Sequence, residues 1–184
     1  MSSRKIEYYS DYIIKRIPYT FSGMWPSFEE VLNYPEKLEE VMDKFNCSKI
    51  LRGAIYQQYN ELLIYNMVTD KEKQLLAPQL LIIYDHYGSI PDIKYPRFES
   101  FATDTEVWNY DDDKSLILLG YKAREYGVEN VMEFYNSVRS MCYKYGLNAD
   151  DILKNPSNIG YNEKYGMRVI DYGLAEDLTG LINT

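Results

Sequence analysis

Asn155-Pro156-Ser157-Asn158-Ile159-Gly160, followed by Met167-Arg168-Val169-Ile170-Asp171-Tyr172-Gly173-Leu174, is the stretch on which the fold turns. Met167 to Ile170 reads as a β-strand, and Lys164-Tyr165-Gly166 before it reads as a turn. The pattern therefore predicts a hairpin with Asn158 at one strand end and Asp171 at the start of the loop after the other. Their side-chain oxygens can converge. A carboxylate with an amide oxygen is a suitable ligand set for Mg²⁺, which also keeps waters and phosphate oxygens. Gly173 is expected to let the backbone turn sharply after the aspartate.

Upstream of this stretch, residues 128–145 carry Val131, Phe134, Tyr135, Val138, Met141, Cys142 and Tyr145 at helical spacing, with Gly146 as C-cap. Residues 50–68 predict a second helix, on the stripe Leu51, Ile55, Tyr59, Leu62. Residues 5–22 read as strand, Leu80 to Tyr84 as a buried strand, and 93–101 as its antiparallel neighbour. Leu38, Val41, Met42 and Phe45 fall at helical spacing after Pro35. Asp111-Asp112-Asp113 lack the glycine-centred pattern of a calcium loop and read as a negatively charged helix start.

The length of 184 residues suits a single domain, and 46% hydrophobic with 26% charged residues is globular. A net charge of −8 disfavours a nucleic-acid backbone or an anionic membrane as partner. Acidic residues in rows would suit a DNA mimic, but Glu29-Glu30, Glu36, Glu39-Glu40, Asp111 to Asp113 and Asp150-Asp151 are spread along the chain. Cys47 and Cys142 form no zinc pattern and suit a reducing cytoplasm. The N-terminus does not read as a secretory signal, and no apolar run approaches the ~20 residues of a membrane span. Twenty tyrosines, with frequent Asn, Lys and Ile, hint at an AT-rich viral genome. His86, Trp25 and Trp108 read as packing residues.

At Pro156-Ser157-Asn158 and Asp171-Tyr172-Gly173 the sequence resembles the protein kinase family, whose pattern is H-R-D-x-x-x-x-N, a strand, then D-F-G. The separation of thirteen residues from Asn158 to Asp171 matches the family. The ending Ile170-Asp171-Tyr172-Gly173 is similar to that of small phage-encoded kinase-like proteins. The resemblance implies an α+β, truncated protein-kinase-like fold. Residues 1–100 would form a small antiparallel β-lobe of five strands with one helix, and 101–184 a reduced helical C-lobe. It makes 50–68 the αC helix, with Glu61 as partner of a strand lysine. That lysine would be Lys44, with Lys49 as second choice. It also makes 28–34 and 39–45 strands, against the periodicity of the second segment, because a small lobe needs strands to pair with 5–22. Phe21-Ser22-Gly23 would be what remains of the glycine-rich loop. Asn158 and Asp171 would hold Mg²⁺, and Lys44 and Glu61 would serve ATP.

The departures from the family bear on function. Counting back from Asn158, the catalytic aspartate's position holds Leu153, and only a two-residue insertion puts Asp151 there as base. The glycine-rich loop keeps a single glycine. The chain given ends eleven residues after Gly173, so the expectation is that no peptide-substrate platform follows. The resulting expectation is a catalytically impaired, pseudokinase-like interaction protein acting in the cytoplasm, that of the host if viral. An inhibitor of a host protein or defence factor fits it. The alternatives are a minimal active ATP/Mg-dependent kinase and an acidic DNA mimic. The expected partner is a protein, with nucleotide as a second ligand.

Overall fold

The computed structural model describes residues 4–17, 25–84, 89–102 and 112–173, for 112–115 the backbone only. The described part is mixed α+β, with two antiparallel sheets. In chain order the elements are β1 (Lys5–Tyr8), β2 (Tyr12–Arg16), α1 (Phe28–Asn33), α2 (Glu36–Lys44), α3 (Lys49–Met67), α4 (Asp70–Lys73), β3 (Leu81–Ile83), β4 (Asp92–Pro96) and β5 (Glu99–Ser100). They continue with α5 (Asp112–Glu125), α6 (Val131–Lys144), α7 (Ala149–Leu153), a 3₁₀ turn (Pro156–Asn158), β6 (Ile159–Asn162) and β7 (Gly166–Val169). One sheet has the order β1-β2-β4-β3, the other β5-β6-β7.

Register places Ile13 opposite Tyr95, Lys15 opposite Ile93, and Ile82 opposite Ile93. Side chains alternate across a strand, so Ile13, Lys15, Ile93, Tyr95 and Ile82 share the inner face. Beneath that face runs α3, which is buried almost continuously from Ala54 to Ile64. A helix apolar on more than one face needs cover on more than one side. Ile55, Tyr59 and Leu63 pack with Leu38 and Met42 of α2 and with Val31 of α1. Leu62 and Ile64 join the larger cluster with Ile93, Tyr95, Val138, Met141 and Tyr172. Leu62→Ala should therefore lower stability by roughly 2–5 kcal/mol, read from urea unfolding.

Residues 28–34 and 39–45, expected as strands, are helical. Ser27 caps α1 in a reciprocal box: its hydroxyl accepts from the Glu30 backbone N–H, and Glu30 accepts from the Ser27 N–H. Leu38 and Met42 are fully buried at the helical spacing that periodicity alone indicated. Four strands, rather than five, form the first sheet among the described residues. β3 is an edge strand, with Leu81 55% exposed, and not the buried strand its apolar run suggested. The expected strand over 5–22 divides at residues 9–11 into the β1–β2 hairpin. The helices of 50–68 and 128–145 stand as α3 and α6, and Gly146 adopts φ 65° after the latter.

Phe21-Ser22-Gly23, His86, Trp108 and Asp111 lie outside the described residues. Trp25 is buried against Phe45. Cys47 and Cys142 are both free and buried. No described helix is long and apolar enough to cross a membrane.

Candidate functional site

The loop before β6 is built by its own residues. Asn155 Oδ1 accepts from the Ser157 N–H and hydroxyl, and Pro156 opens the 3₁₀ turn that Asn158 closes. The hairpin pairs Ile159 with Val169, and the Ile170 N–H donates to the Asn158 carbonyl at 2.7 Å. The backbones of Asn158 and Ile170-Asp171 are thus brought side by side. The Val169 N–H and carbonyl also bond Leu75 and Ala77, which ties the end of β7 to the segment leaving α4.

Beyond β7 the chain runs against α3. Tyr172 is fully buried, edge-on to Tyr95 at 6.4 Å, and its hydroxyl donates to the Ala77 carbonyl. A Cβ on Gly173 would lie 2.3 Å from the Gln57 carbonyl oxygen and 2.8 Å from Glu61 Cγ. The glycine is required by close approach to α3, since its φ is not among the positive ones. A sharp turn is therefore not the reason for it.

Asp171 arrives at a buried ionic cluster. Lys15 Nζ is 2.9 Å from Glu61 Oε1 and 3.5 Å from Asp171 Oδ1, and it donates to the Ile170 carbonyl at 2.8 Å. Arg4 bridges the same carboxylates, with Nη1 2.9 Å from Glu61 Oε1 and Nη2 2.6 Å from Asp171 Oδ1. The Tyr95 hydroxyl donates to Glu61 Oε2 at 2.5 Å. The Lys15, Arg4 and Glu61 side chains are almost wholly buried, whereas that of Asp171 is 30% exposed. Two cations and two carboxylates balance, which is the condition for burying any of them.

Lys15, and neither Lys44 nor Lys49, is therefore the lysine on Glu61. Lys44 closes α2 and Lys49 opens α3, and both are exposed. The signal for Lys15 lay in Tyr12-Ile13-Ile14-Lys15-Arg16, where alternation puts Lys15 on the face of Ile13, which packs against the core. Arg4 carried no such signal. It precedes Ile6, which is registered opposite Lys15, by two residues.

Burial pushes the Asp171 carboxyl up, but Lys15 and Arg4 outweigh it and hold the group below its ordinary range. Burial first, then the Glu61 charge, drives the Tyr95 phenol well above its usual value, so it stays a donor. A depressed carboxylate contributes stability fully present above its unfolded value, near 4, and lost as pH falls through the folded one. Urea unfolding between pH 6 and pH 2 should show wild type weakening below about pH 4, and Asp171→Asn should flatten that fall. An unchanged slope in the variant would show that Asp171 gains nothing from Lys15 and Arg4.

Asn158 is buried and its Nδ2 donates to the Asp151 carbonyl at 3.0 Å. Asp151 itself is exposed in α7, its carboxylate accepting from Asn148 Nδ2, while Leu153 is buried. A divalent cation brought to Asp171 Oδ1 would meet Arg4 and Lys15 on the same oxygen. With Arg4 in place, the residues present do not fit Mg²⁺. Among the described residues no group of three His, Cys, Asp or Glu could hold a metal. Of the surface acids, Glu30 pairs with Lys37, Glu39 and Asp43 with Arg52, and Asp150 with Lys154.

Comparison with family profiles, with curated proteins and with solved structures found no match for this chain.

Proposed function

We propose that this chain is a kinase-like interaction protein whose phosphotransfer machinery is impaired. The observation that carries the kinase-like part is the buried contact of Lys15, from a strand, with Glu61 on the long helix and Asp171 of Asp171-Tyr172-Gly173. Active kinases require that lysine–glutamate pair together with the aspartate that follows the last strand. A four-stranded antiparallel sheet over one long helix supports a small lobe of that kind.

The impairment is read from the same residues. Arg4 holds the oxygen of Asp171 that a metal would need. Leu153 stands at the family's catalytic position and is buried. Phosphoryl transfer rests on positioning and charge neutralisation, and here the chain neutralises its own carboxylate. The partner is then a protein. Exposed tyrosines such as Tyr8, Tyr121 and Tyr143 offer rigid contact area at low entropic cost. Inhibition of a host protein or defence factor remains the role this proposal assigns if the chain is phage-encoded.

Incubation with labelled ATP and Mg²⁺ tests it. The expected result is no label transferred to the chain or to a co-incubated protein, and no rise in Tm with nucleotide. Transfer that disappears in Asp171→Ala would sink the proposal. It would favour the second reading, a minimal active kinase, which one contact supports: Asn158 Nδ2 on the Asp151 carbonyl brings an exposed acid next to the hairpin. Under that reading Asp151→Asn abolishes transfer as well.

A further inference from the structure

α5 leaves large apolar side chains in solvent: Ile117 is 66% and Tyr121 69% exposed. The helix joins the core through a different face, that of the buried Leu119 and Ala123. Beside the exposed pair lies an open groove of about 610 Å³, lined by Leu116, Gly120 and Arg124 of α5 and by Val131 and Met132 of α6. A Cβ on Gly120 would meet nothing within 4 Å, so there is room above that glycine.

Helical spacing orders this surface. Asp113, Ile117, Gly120 and Arg124 stand at i, i+4, i+7 and i+11 of α5 and so fall on one stripe, which Leu116 and Tyr121 flank. The stripe runs from an acid, through a large and then a small apolar residue, to a base. Reversed end for end, it complements itself. Two copies of α5 laid antiparallel about a two-fold axis set Asp113 opposite the second copy's Arg124 and Ile117 opposite its Gly120. The same register sets Tyr121 opposite the second copy's Leu116. Each pairing occurs twice by symmetry, as a self-complementary interface requires. A parallel arrangement would set acid on acid and base on base.

We propose that this face of α5 is a homodimer interface, with the antiparallel α5 of a second copy of this chain as its occupant. Ile117 of each copy then fills the space over the other's Gly120, and the Asp113–Arg124 pairs close both ends. The pairing is independent of the kinase-like reading. Two helices of this length make a small contact beside the ~1,200–2,000 Å² of standard interfaces, so the dimer is weak, with Kd about 10–100 µM.

Sedimentation equilibrium of the full chain at about 150 mM salt, where the net charge is largely screened, tests it. Wild type should pass from monomer to dimer between about 10 and 500 µM. Gly120→Leu has room in the monomer and should keep the wild-type Tm or raise it, yet raise Kd by about tenfold or more. Arg124→Asp makes the stripe acidic at both ends and Asp113→Arg makes it basic at both ends. Each alone should stay monomeric, and an equimolar mixture of the two should dimerise. A wild type monomeric at 500 µM overturns the proposal and leaves the face to a different protein. Gly120→Leu dimerising as wild type does also overturns it, because the contact then lies elsewhere. So does a mixture of the charge variants that fails to associate, since antiparallel pairing requires that it should.

Discussion

Replacing Glu61 by alanine is expected to lower the unfolding free energy by about 3–5 kcal/mol, the usual effect of stranding buried charges. The reason is geometric. Glu61 Oε1 accepts from both Arg4 and Lys15, and Oε2 accepts from Tyr95. Alanine removes every one of these acceptors and leaves two cations facing Asp171 alone. Urea unfolding followed by circular dichroism measures the effect. The combined variant Lys15→Met/Glu61→Leu should be less damaged than Glu61→Ala, because it removes a charge pair and leaves Arg4 with Asp171. A double variant worse than the single one would show that the cluster stabilises the fold through more than charge compensation.

Gly173→Ala should be nearly as damaging, at about 3 kcal/mol. The added methyl would stand 2.3 Å from a backbone oxygen of α3, and backbone cannot swing aside as a side-chain tip can. Either α3 bends or the loop carrying Asp171 lifts away. The second route also breaks the bond from Asn60 Nδ2 to the Gly173 carbonyl. Gly53, exposed on the same helix with nothing within 4 Å of its would-be Cβ, is the control. Alanine there should stabilise by roughly 0.5–1 kcal/mol, because glycine is a poor helix former. If Gly173→Ala is as harmless as Gly53→Ala, the close approach of the Asp171 loop to α3 is not a constraint on the fold.

The two predictions share a structural point. Asp171-Tyr172-Gly173 is fixed by α3 and β4 more than by its own hairpin. Tyr172 fills the space between Tyr95 and Ala77, Gly173 lets the chain touch α3, and Asp171 is then delivered to Lys15 and Arg4. Function, on the reading proposed above, depends on what that delivery leaves free.

Local chemistry made part of this legible in advance. The run from Leu51 to Leu62, the stripe from Val131 to Tyr145 and the glycine after it specify helices with neighbours only a few residues away. The hairpin around Lys164-Tyr165-Gly166 is equally local, with Gly166 at φ 72°. In 39–45 the helical spacing of Leu38, Val41, Met42 and Phe45 prevails over the strand that the family resemblance implies. Leu38 and Met42 bury that period against α3.

The sequence by itself determined the helices of 50–68 and 128–145, the hairpin, and the nearness of the Asn158 and Ile170 backbones, because each follows from contacts between residues close in the chain. Only the tertiary structure decided which cation meets Glu61, that Arg4 from the far end of the chain joins it, and that the resulting cluster is neutral. Those choices depend on sheet order and on which strand face covers α3. Residues separated by 167 positions, as Arg4 and Asp171 are, leave no periodic trace of their meeting.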